Sequence, residues 1–224
     1  MPCPPKWDLS PKEAKVLQSK LAGSVVLQPL PDRIEILGAS DIGYVPALDK
    51  LAAVVITFRW PSLELIETAH VVQRISFPYI PGLLSFREIP PLLEAYRQLE
   101  HPPDVLLCDG QGIAHPRRLG LASHLGLCLD IPTVGCAKKL LCGKHGPLGP
   151  HRGDLAPLEL KGDIIGYVLR TRDGIKPVYI SPGHLADLES SRELIQSCLG
   201  RYRIPEPLRR AHQLATTLRS QLTL

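Results

Sequence analysis

Hydrophobic and polar positions divide the first third of the chain into one helical and three extended segments. Ser10-Pro11-Lys12-Glu13 has the Ser-x-x-Glu pattern of a capping box with proline at the first helical position, so a helix is expected to begin here and to end at Gly23. Runs rich in valine, isoleucine and threonine follow at residues 34–42, 51–59 and 64–75, and short turns at 44–50 and 60–62 separate them. This pattern predicts an antiparallel meander of three strands.

The rest of the chain alternates between helical and extended spacing. Ser85-Phe86-Arg87-Glu88 has the pattern of a second capping box and predicts a helix to about residue 99. Residues 104–108 and 131–137 are apolar enough for buried strands, and residues 118–129 between them have helical spacing. Further segments are expected after these: a loop rich in glycine, proline and histidine at 143–157, a hairpin of 164–170 with 177–181, and helices at 184–199 and 205–222.

The order of these elements predicts the fold class. Three antiparallel strands followed by alternating helices and strands indicate an α/β fold with a mixed central sheet, its later strands parallel, flanked by helices. The ribonuclease H-like architecture has this order, and so do other mixed folds. We expect a single domain over residues 1–224.

Composition narrows the class of protein. The 224 residues are 44% hydrophobic and 21% charged, which is typical of a soluble globular protein. The longest apolar run, residues 51–58, is too short to cross a bilayer, and the first residues lack the apolar core of a signal peptide. We therefore expect a cytoplasmic protein without a membrane partner.

The net charge of +4 is concentrated at the end of the chain, because residues 201–224 hold five arginines and one glutamate. Such a segment either contacts a polyphosphate or forms a solvated helix face, and charge alone favours the solvated face. The cysteines form no C-x-x-C pair and are expected to be buried free thiols: Cys3, Cys108, Cys128, Cys136, Cys142 and Cys198. Cys136 and Cys142 lie near His145 and His151, but their spacing matches no usual zinc site.

Two aspartates follow or end predicted strands. Asp41 lies near the end of the first strand, and Asp109 comes directly after the strand at residues 104–108. If these strands are neighbours, both carboxylates emerge at one edge of the sheet, where their repulsion raises one pKa. Mg²⁺ relieves that repulsion and takes carboxylate oxygens as ligands. The alternative is that each aspartate only ends a strand or caps a turn.

Four other residues are candidates with a structural alternative for each. Glu88 is a third acid, although glutamate is also usual at this position of a capping box. His212 stands beside two arginines on the last predicted helix, where a histidine is more often a surface or core residue. Lys138 follows a buried strand and is alternatively a solvated strand end. Tyr79 is fixed between prolines, which suits insertion between bases, or it folds back onto the core.

Five longer segments carry a resemblance to one known family. They are Phe77-Pro78-Tyr79-Ile80-Pro81-Gly82-Leu83-Leu84-Ser85-Phe86-Arg87-Glu88, Asp109-Gly110-Gln111-Gly112-Ile113-Ala114-His115-Pro116-Arg117, Gly135-Cys136-Ala137-Lys138-Lys139-Leu140, Ser181-Pro182-Gly183-His184, and Arg203-Ile204-Pro205-Glu206-Pro207-Leu208-Arg209-Arg210-Ala211-His212. The sequence resembles endonuclease V over about residues 10–220, with the motifs in the family's order. The last segment resembles the bacterial and archaeal branch.

The resemblance implies a ribonuclease H-like fold and a DNA repair endonuclease that recognises deoxyinosine, the product of adenine deamination. It further implies hydrolysis of the second phosphodiester bond on the 3′ side of the lesion, leaving 3′-hydroxyl and 5′-phosphate ends. The implied cofactor is Mg²⁺, with Mn²⁺ able to substitute. Asp41 and Asp109 are its implied ligands, Glu88 completes the acidic cluster directly or through water, and Lys138 and His212 occupy supporting positions in the active site.

The resemblance also implies how the lesion is bound. Tyr79 belongs to a wedge loop, with Pro78, Ile80 and Pro81, that separates the lesion from its neighbours. The implied pocket for the extruded base is formed at Gly82, Leu84, Gly110 and Gly112. His115 is a further residue implied to bind the DNA or the lesion. Glycine at such positions lets the backbone approach the base closely.

Three functions are compatible with this sequence. The leading hypothesis is a monomeric endonuclease acting on single- or double-stranded DNA that contains deoxyinosine. An inosine-specific endoribonuclease needs the same acids, so the sequence discriminates poorly between DNA and RNA, although the bacterial-like last segment favours DNA. A non-catalytic nucleic-acid-binding domain is the third reading, and the presence of all three acids argues against it.

Overall fold

The computed structural model describes residues 7–223, which form a nine-stranded mixed sheet flanked by helices. The helices are α1 (Pro11–Ala22), α2 (Leu84–Tyr96), α3 (Leu121–Leu129), α4 (Leu188–Ser197) and α5 (Glu206–Gln221). The strands are β1 (Ile36–Val45), β2 (Lys50–Arg59), β3 (Glu64–Arg74), β4 (Val105–Cys108), β5 (Thr133–Ala137), β6 (Lys144–His145), β7 (Leu155–Leu160), β8 (Asp163–Leu169) and β9 (Val178–Pro182).

The sheet order is β3-β2-β1-β4-β5-β9-β8-β7-β6. β1, β2 and β3 form the predicted antiparallel meander, and β1, β4 and β5 run parallel. β8 and β9 pair as the predicted late hairpin. In the β1–β4 pair Ser40 lies opposite Cys108, and β1 continues to Val45 beyond the end of β4. The predicted mixed α/β sheet is therefore confirmed.

Helices cover both faces of the sheet. α4 and α5 pack on one face around a core that includes Ala39 and Val54, and α2 and α3 pack on the other around Val55 and Leu106. α5 lies so close to β1 that a Cβ added to Gly43 would be 2.8 Å from the carbonyl oxygen of Ala215. This close approach fixes the distance between the catalytic candidates on the two elements.

The first helix begins and ends where the sequence predicts. The Ser10 hydroxyl accepts a hydrogen bond from the Glu13 amide at 3.3 Å, and the Glu13 carboxylate accepts one from the Ser10 amide at 2.8 Å. Gly23 follows the last helical residue. The capping box is confirmed in both of its bonds.

The second predicted capping box is wrong. α2 begins at Leu84, because Ile80 to Leu83 already form a turn, and Ser85 lies inside the helix. The Ser85 hydroxyl is 3.0 Å from Nδ1 of His124 on α3 and does not cap α2. Glu88 therefore has no capping role, which removes its structural alternative.

Two predicted loops contain strand. β1 extends through Tyr44, which pairs with Leu51, so the turn before β2 is shorter than expected. β7 starts inside the predicted loop and pairs with β8, and the short β6 pairs with β7. Pro157 made this stretch resemble a loop, since proline is tolerated in strands only near an edge.

Cys108, Cys136 and Cys198 are buried free thiols, as predicted, and Cys142 is a free thiol that is only half-buried. Burial raises the pKa of the Cys108 and Cys198 thiols to about 12, so both are neutral at physiological pH. Cys3 lies outside the described residues. Within residues 7–223 no helix is both long and apolar enough to cross a membrane.

Candidate active site

Asp41 and Asp109 come together at one edge of the sheet, as the sequence predicts for neighbouring strands. Asp41 lies on β1 one residue after Ser40, and Asp109 follows Cys108 at the end of β4. Their carboxylate oxygens and a ring nitrogen of His212 all lie within 4.8 Å of one another. The site is therefore assembled by strand pairing between residues far apart in the chain.

The carboxylates at this edge are partly buried and repel one another, which raises the pKa of two of them. Burial, and then the charge of Asp109, raise the pKa of Asp41 to about 6. Burial and the charges of both aspartates raise the pKa of Glu88 to about 8. A divalent cation would relieve this repulsion, and the carboxylate oxygens are the ligands that Mg²⁺ prefers. The residues present thus fit the implied metal.

Glu88 contributes to the field of the site from α2. It is partly buried, and it forms no ion pair with another side chain of residues 7–223. Among the described residues, the group with ligand atoms within 4.8 Å consists of Asp41, Asp109 and His212, and Glu88 does not belong to it. This placement favours contact with a shared ion through water over direct ligation.

His212 reaches the site because α5 packs so closely on β1. Its Nδ1 is 2.7 Å from a carboxylate oxygen of Asp41, and about half of its side chain is exposed. A proton on Nδ1 is then donated to Asp41, which leaves Nε2 as the nitrogen that can accept a proton. His212 is thus an exposed helix residue, as its structural alternative has it, but its ring is also bonded to Asp41.

Lys138 follows β5 and forms an ion pair with the Asp109 carboxylate. Its backbone is held by Arg203, whose guanidinium donates to the carbonyl oxygens of Lys138, Lys176 and Pro177 at 2.7, 2.8 and 2.8 Å. The sequence assigned no role to Arg203, because nothing in its spacing reveals three carbonyl partners. The structure places it behind Lys138 as a support.

A cavity of about 400 Å³ adjoins the carboxylates. Asp109 and Lys138 form part of its wall, and the loop around Tyr79 forms another part. The predicted lesion-binding residues in its lining are Tyr79, Ile80, Pro81, Gly82, Leu84, Gly110 and His115, whereas Pro78 and Gly112 are not in it. Tyr79 is 68% exposed, so it does not fold back onto the core.

The loop around Tyr79 is anchored at Gly82. Gly82 has a φ of +77°, which favours glycine, and its carbonyl oxygen accepts hydrogen bonds from Arg117 at 2.6 Å and from His115 at 3.0 Å. Burial and the charge of Arg117 lower the pKa of His115 to about 4, so its ring is neutral at pH 7. Its Nδ1 accepts from the Arg117 amide at 3.1 Å, which leaves the proton on Nε2 for Gly82.

Gln18 of α1 extends this anchor and was missed by the sequence analysis. It is buried, its side-chain oxygen accepts from Nε of Arg117 at 2.5 Å, and its amide donates to the Leu119 carbonyl at 2.7 Å. Gln18 also lines the cavity. A glutamine in an amphipathic helix gives no sequence signal for partners about a hundred residues away.

Gly112 is required by packing inside the protein. A Cβ at this position would lie 1.9 Å from the carbonyl oxygen of Pro182 on β9, and the Gly112 amide donates to the Ser181 hydroxyl at 2.8 Å. A Cβ at Gly110 would lie 3.1 Å from Leu121. The expectation that these two glycines admit a close approach of the base stays a prediction.

Comparison with known proteins identifies relatives for most of the chain. The Endonuclease V family model matches residues 19–213. The chain is 45% identical over 213 residues to endonuclease V of Rippkaea orientalis, covering 95% of this chain and 93% of that one.

Solved structures agree with the sequence matches. The crystal structure of endonuclease V from Streptomyces avermitilis superposes with a TM-score of 0.91 at 38% identity, covering 99% of this chain and 98% of that one. Endonuclease V of Ciona intestinalis, in complex with a 24mer DNA containing an inosine followed by a ribo-adenosine, shares the fold with a TM-score of 0.80 at 23% identity, covering 94% of this chain and 98% of that one. The predicted ribonuclease H-like fold is confirmed.

Proposed function

This chain belongs to the endonuclease V family and is therefore a nuclease, and we propose that it nicks DNA at deoxyinosine. The bond we assign to it is the second phosphodiester on the 3′ side of the lesion. One observation carries the proposal: Asp109 lines the cavity that Tyr79 also lines, and Asp41 lies within 4.8 Å of Asp109, so the proposed sites of cutting and of base recognition adjoin. The inosine-containing DNA bound by the Ciona intestinalis relative supports the same substrate.

Asp41 and Asp109 would hold Mg²⁺ or, in its place, Mn²⁺, and Glu88 would contact it through water. When bound, the ion supplies an activated water and stabilises the leaving oxygen. The acidic residues also orient the phosphate relative to the cavity, since Asp109 is both a proposed metal ligand and part of the cavity wall. Without the ion, the repulsion that raises the pKa of Asp41 and Glu88 opposes the approach of a phosphate.

His212 and Lys138 carry the remaining charges of the reaction. Nε2 of His212 accepts the proton of the attacking water while Nδ1 stays bound to Asp41. The ammonium group of Lys138 lies at the carboxylates and compensates the negative charge that develops on the phosphate oxygens. The water oxygen bonds to phosphorus, the bond from phosphorus to the 3′ oxygen breaks, and that oxygen takes up a proton from solvent, which produces a 3′-hydroxyl and a 5′-phosphate.

Recognition takes place in the cavity. Extruding a base costs a few kcal/mol, and less when the base is mispaired, as deoxyinosine is opposite thymine. Hypoxanthine lacks the exocyclic amine of guanine, so a cavity that has no room for that amine discriminates between the two bases. The anchored loop from Tyr79 to Gly82 gives this cavity a fixed wall.

The proposed function is tested by a cleavage assay on labelled oligonucleotides. One DNA strand carries a single deoxyinosine, a control carries deoxyguanosine, and a matched RNA carries inosine, each with Mg²⁺ and with chelator. We expect Mg²⁺-dependent nicking of the deoxyinosine strand alone among the DNA strands, and faster than nicking of the RNA. Faster cutting of the RNA would reassign the substrate, and binding without cutting would contradict nuclease activity.

A further inference from the structure

A second cavity shares a wall with the proposed base pocket. This flank cavity has a volume of about 360 Å³ and is lined by Ile42, Tyr44, Leu51, Tyr79, Leu84, Arg87 and Glu88. Tyr79 and Leu84 line both cavities. The flank cavity is therefore separated from the base pocket by the aromatic side chain that serves as the proposed wedge.

The two cavities lie along the sheet edge that carries the carboxylates. The flank cavity contains residues of β1 and β2, whereas the base pocket lies at the ends of β4 and β5, and the order along the sheet is β2-β1-β4-β5. Asp41 on β1 and Asp109 after β4 stand at the centre of this edge. Asp109 lines the base pocket and Glu88 lines the flank cavity, so a strand that occupies both cavities has an acid of the site beside it in each.

The chemistry of the flank cavity suits a nucleobase. Tyr44 is 43% exposed, and the guanidinium carbon of Arg87 lies 5.1 Å from the centre of its ring. Arg87 is held in place by a hydrogen bond to the Phe77 carbonyl at 3.2 Å. Ile42 and Leu51 add apolar surface. Exposed aromatic rings flanked by arginine form stacking platforms that bind bases without reading their sequence.

We propose that the flank cavity binds the base of the nucleotide immediately 3′ to deoxyinosine, stacked on Tyr44. This inference rests on the proposed function. Bases on opposite sides of one inserted ring belong to neighbouring nucleotides, and Tyr79 is the one ring that the two cavities share. With this base seated, Glu88 in the lining of the flank cavity lies beside the nucleotide whose 3′ phosphate belongs to the second bond.

The test is a binding experiment in chelator, so that nothing is cut. The probes are four single strands that all contain deoxyinosine: one complete, and three that lack a base at the first 3′, the second 3′ or the first 5′ position. We expect Tyr44→Ala to weaken binding of the complete strand about tenfold, which is about 1.4 kcal/mol. The strand without the first 3′ base should bind wild type and variant equally, and the other two should show the tenfold loss.

Two controls accompany this variant. Tyr44→Phe keeps the ring and should restore binding of the complete strand. Leu65→Ala truncates an exposed leucine that pairs with Phe58 at the opposite end of the meander from Asp41, and should bind every strand as wild type does. Thermal melting confirms that each variant is folded.

Other outcomes distinguish a failure of the flank-cavity proposal from a failure of the proposed function. Equal losses on all four strands, no loss on any, or a loss that disappears when the second 3′ or first 5′ base is missing would overturn the assignment to Tyr44. If wild type prefers deoxyinosine DNA over deoxyadenosine DNA in these cases, the proposed function stands without the flank cavity. If wild type shows no such preference, the proposed function itself fails.

Discussion

Asp41 lies where three other charged or polar side chains act on its carboxylate. Asp109 repels it, the Lys138 ammonium attracts it, and His212 forms a hydrogen bond to it. Burial and repulsion exceed the attraction, so the pKa of Asp41 is raised to about 6. At the residue scale, the protein's own side chains do not fully compensate the negative charge of the site, which suits a bound cation.

Removal of one carboxylate charge separates cutting from binding. We expect Asp41→Asn to lower the single-turnover cleavage rate at least a thousandfold, about 4 kcal/mol in the barrier, because the proposed metal loses a ligand. Lesion binding in chelator should persist, since the amide keeps the shape and removes a repulsion. Quenched-flow cleavage and fluorescence anisotropy measure the two quantities. Wild-type cleavage by this variant would remove the metal assignment.

The raised pKa of Glu88 predicts how stability depends on pH. The folded protein binds this proton up to about pH 8, whereas the unfolded chain releases it near pH 4.3, so the free energy of unfolding falls as pH rises between these values. Glu88 alone would make the metal-free protein melt at a lower temperature at pH 8 than at pH 5, whereas the lowered pKa values of His115 and His124 act in the opposite direction between pH 5 and about pH 6.5.

Glu88→Gln isolates this contribution, because the amide carries no charge at either pH. We expect the metal-free variant to melt at least about 4 °C above wild type at pH 8, since 1 kcal/mol corresponds to about 2–4 °C for a chain of this size. At pH 5 the difference should be much smaller. Differential scanning calorimetry measures both values, and a variant that melts like wild type at pH 8 would show that Glu88 is not held against other charges.

Tyr79 tests the wedge assignment. Tyr79→Ala should cost about 1–3 kcal/mol of binding to deoxyinosine DNA, the range for loss of one aromatic stacking contact. Discrimination against deoxyguanosine DNA should weaken while the Mg²⁺ concentration for half-maximal rate stays the same, because Tyr79 supplies no ligand to the proposed metal. Competition binding and a Mg²⁺ titration check these outcomes. Unchanged discrimination would remove the wedge role.

At the element scale, α1 supports the cavity proposed for base recognition although it carries no proposed catalytic residue. Gln18 connects α1 to Arg117, and Arg117 fixes the Gly82 carbonyl at the end of the wedge loop. Each member of this chain has a partner within hydrogen-bond distance. The position of the wall of the base pocket therefore depends on how α1 packs.

Gln18→Leu tests this dependence. It leaves the Arg117 Nε and the Leu119 carbonyl without their partner, which should lower the free energy of unfolding by about 1–3 kcal/mol. We also expect a reduced ratio of deoxyinosine to deoxyguanosine cleavage, with the rate at saturating metal less affected. Ser19→Ala, at the exposed neighbouring position on α1, is the matched control. An unchanged ratio would limit Gln18 to a stability role.

The same scale shows why some elements were predictable from sequence and others were not. The bonds of the first capping box connect residues three apart, so a local pattern fixed the start of α1. The start of α2 depends on the turn before it and on His124, which lies 39 residues beyond Ser85, and the local pattern was misleading. β7 was missed because Pro157 is typical of a loop. The pairing with β8 that makes this segment a strand is not visible in the local sequence.

At the scale of the whole molecule, the site exists because β1 and β4 are parallel neighbours. The sequence marked Asp41 and Asp109 as candidates, but only the pairing of Ser40 with Cys108 brings them together. Lys138 arrives through β5 and His212 through the packing of α5 on β1. The sequence could indicate the residue types and the family, whereas Gln18, Arg203 and the flank cavity arise from long-range contacts that no local pattern records.

Mapping the nick at single-nucleotide resolution tests the central claim most directly. A strand with one deoxyinosine is cut by the wild-type protein in Mg²⁺, and the product ends are identified by ligation and by phosphatase sensitivity. The account predicts one nick, at the second phosphodiester 3′ to the lesion, with a 3′-hydroxyl and a 5′-phosphate, and none with Asp109→Ala. A nick at another bond, or the same nick by the variant, would contradict the placement of the carboxylates relative to the base pocket.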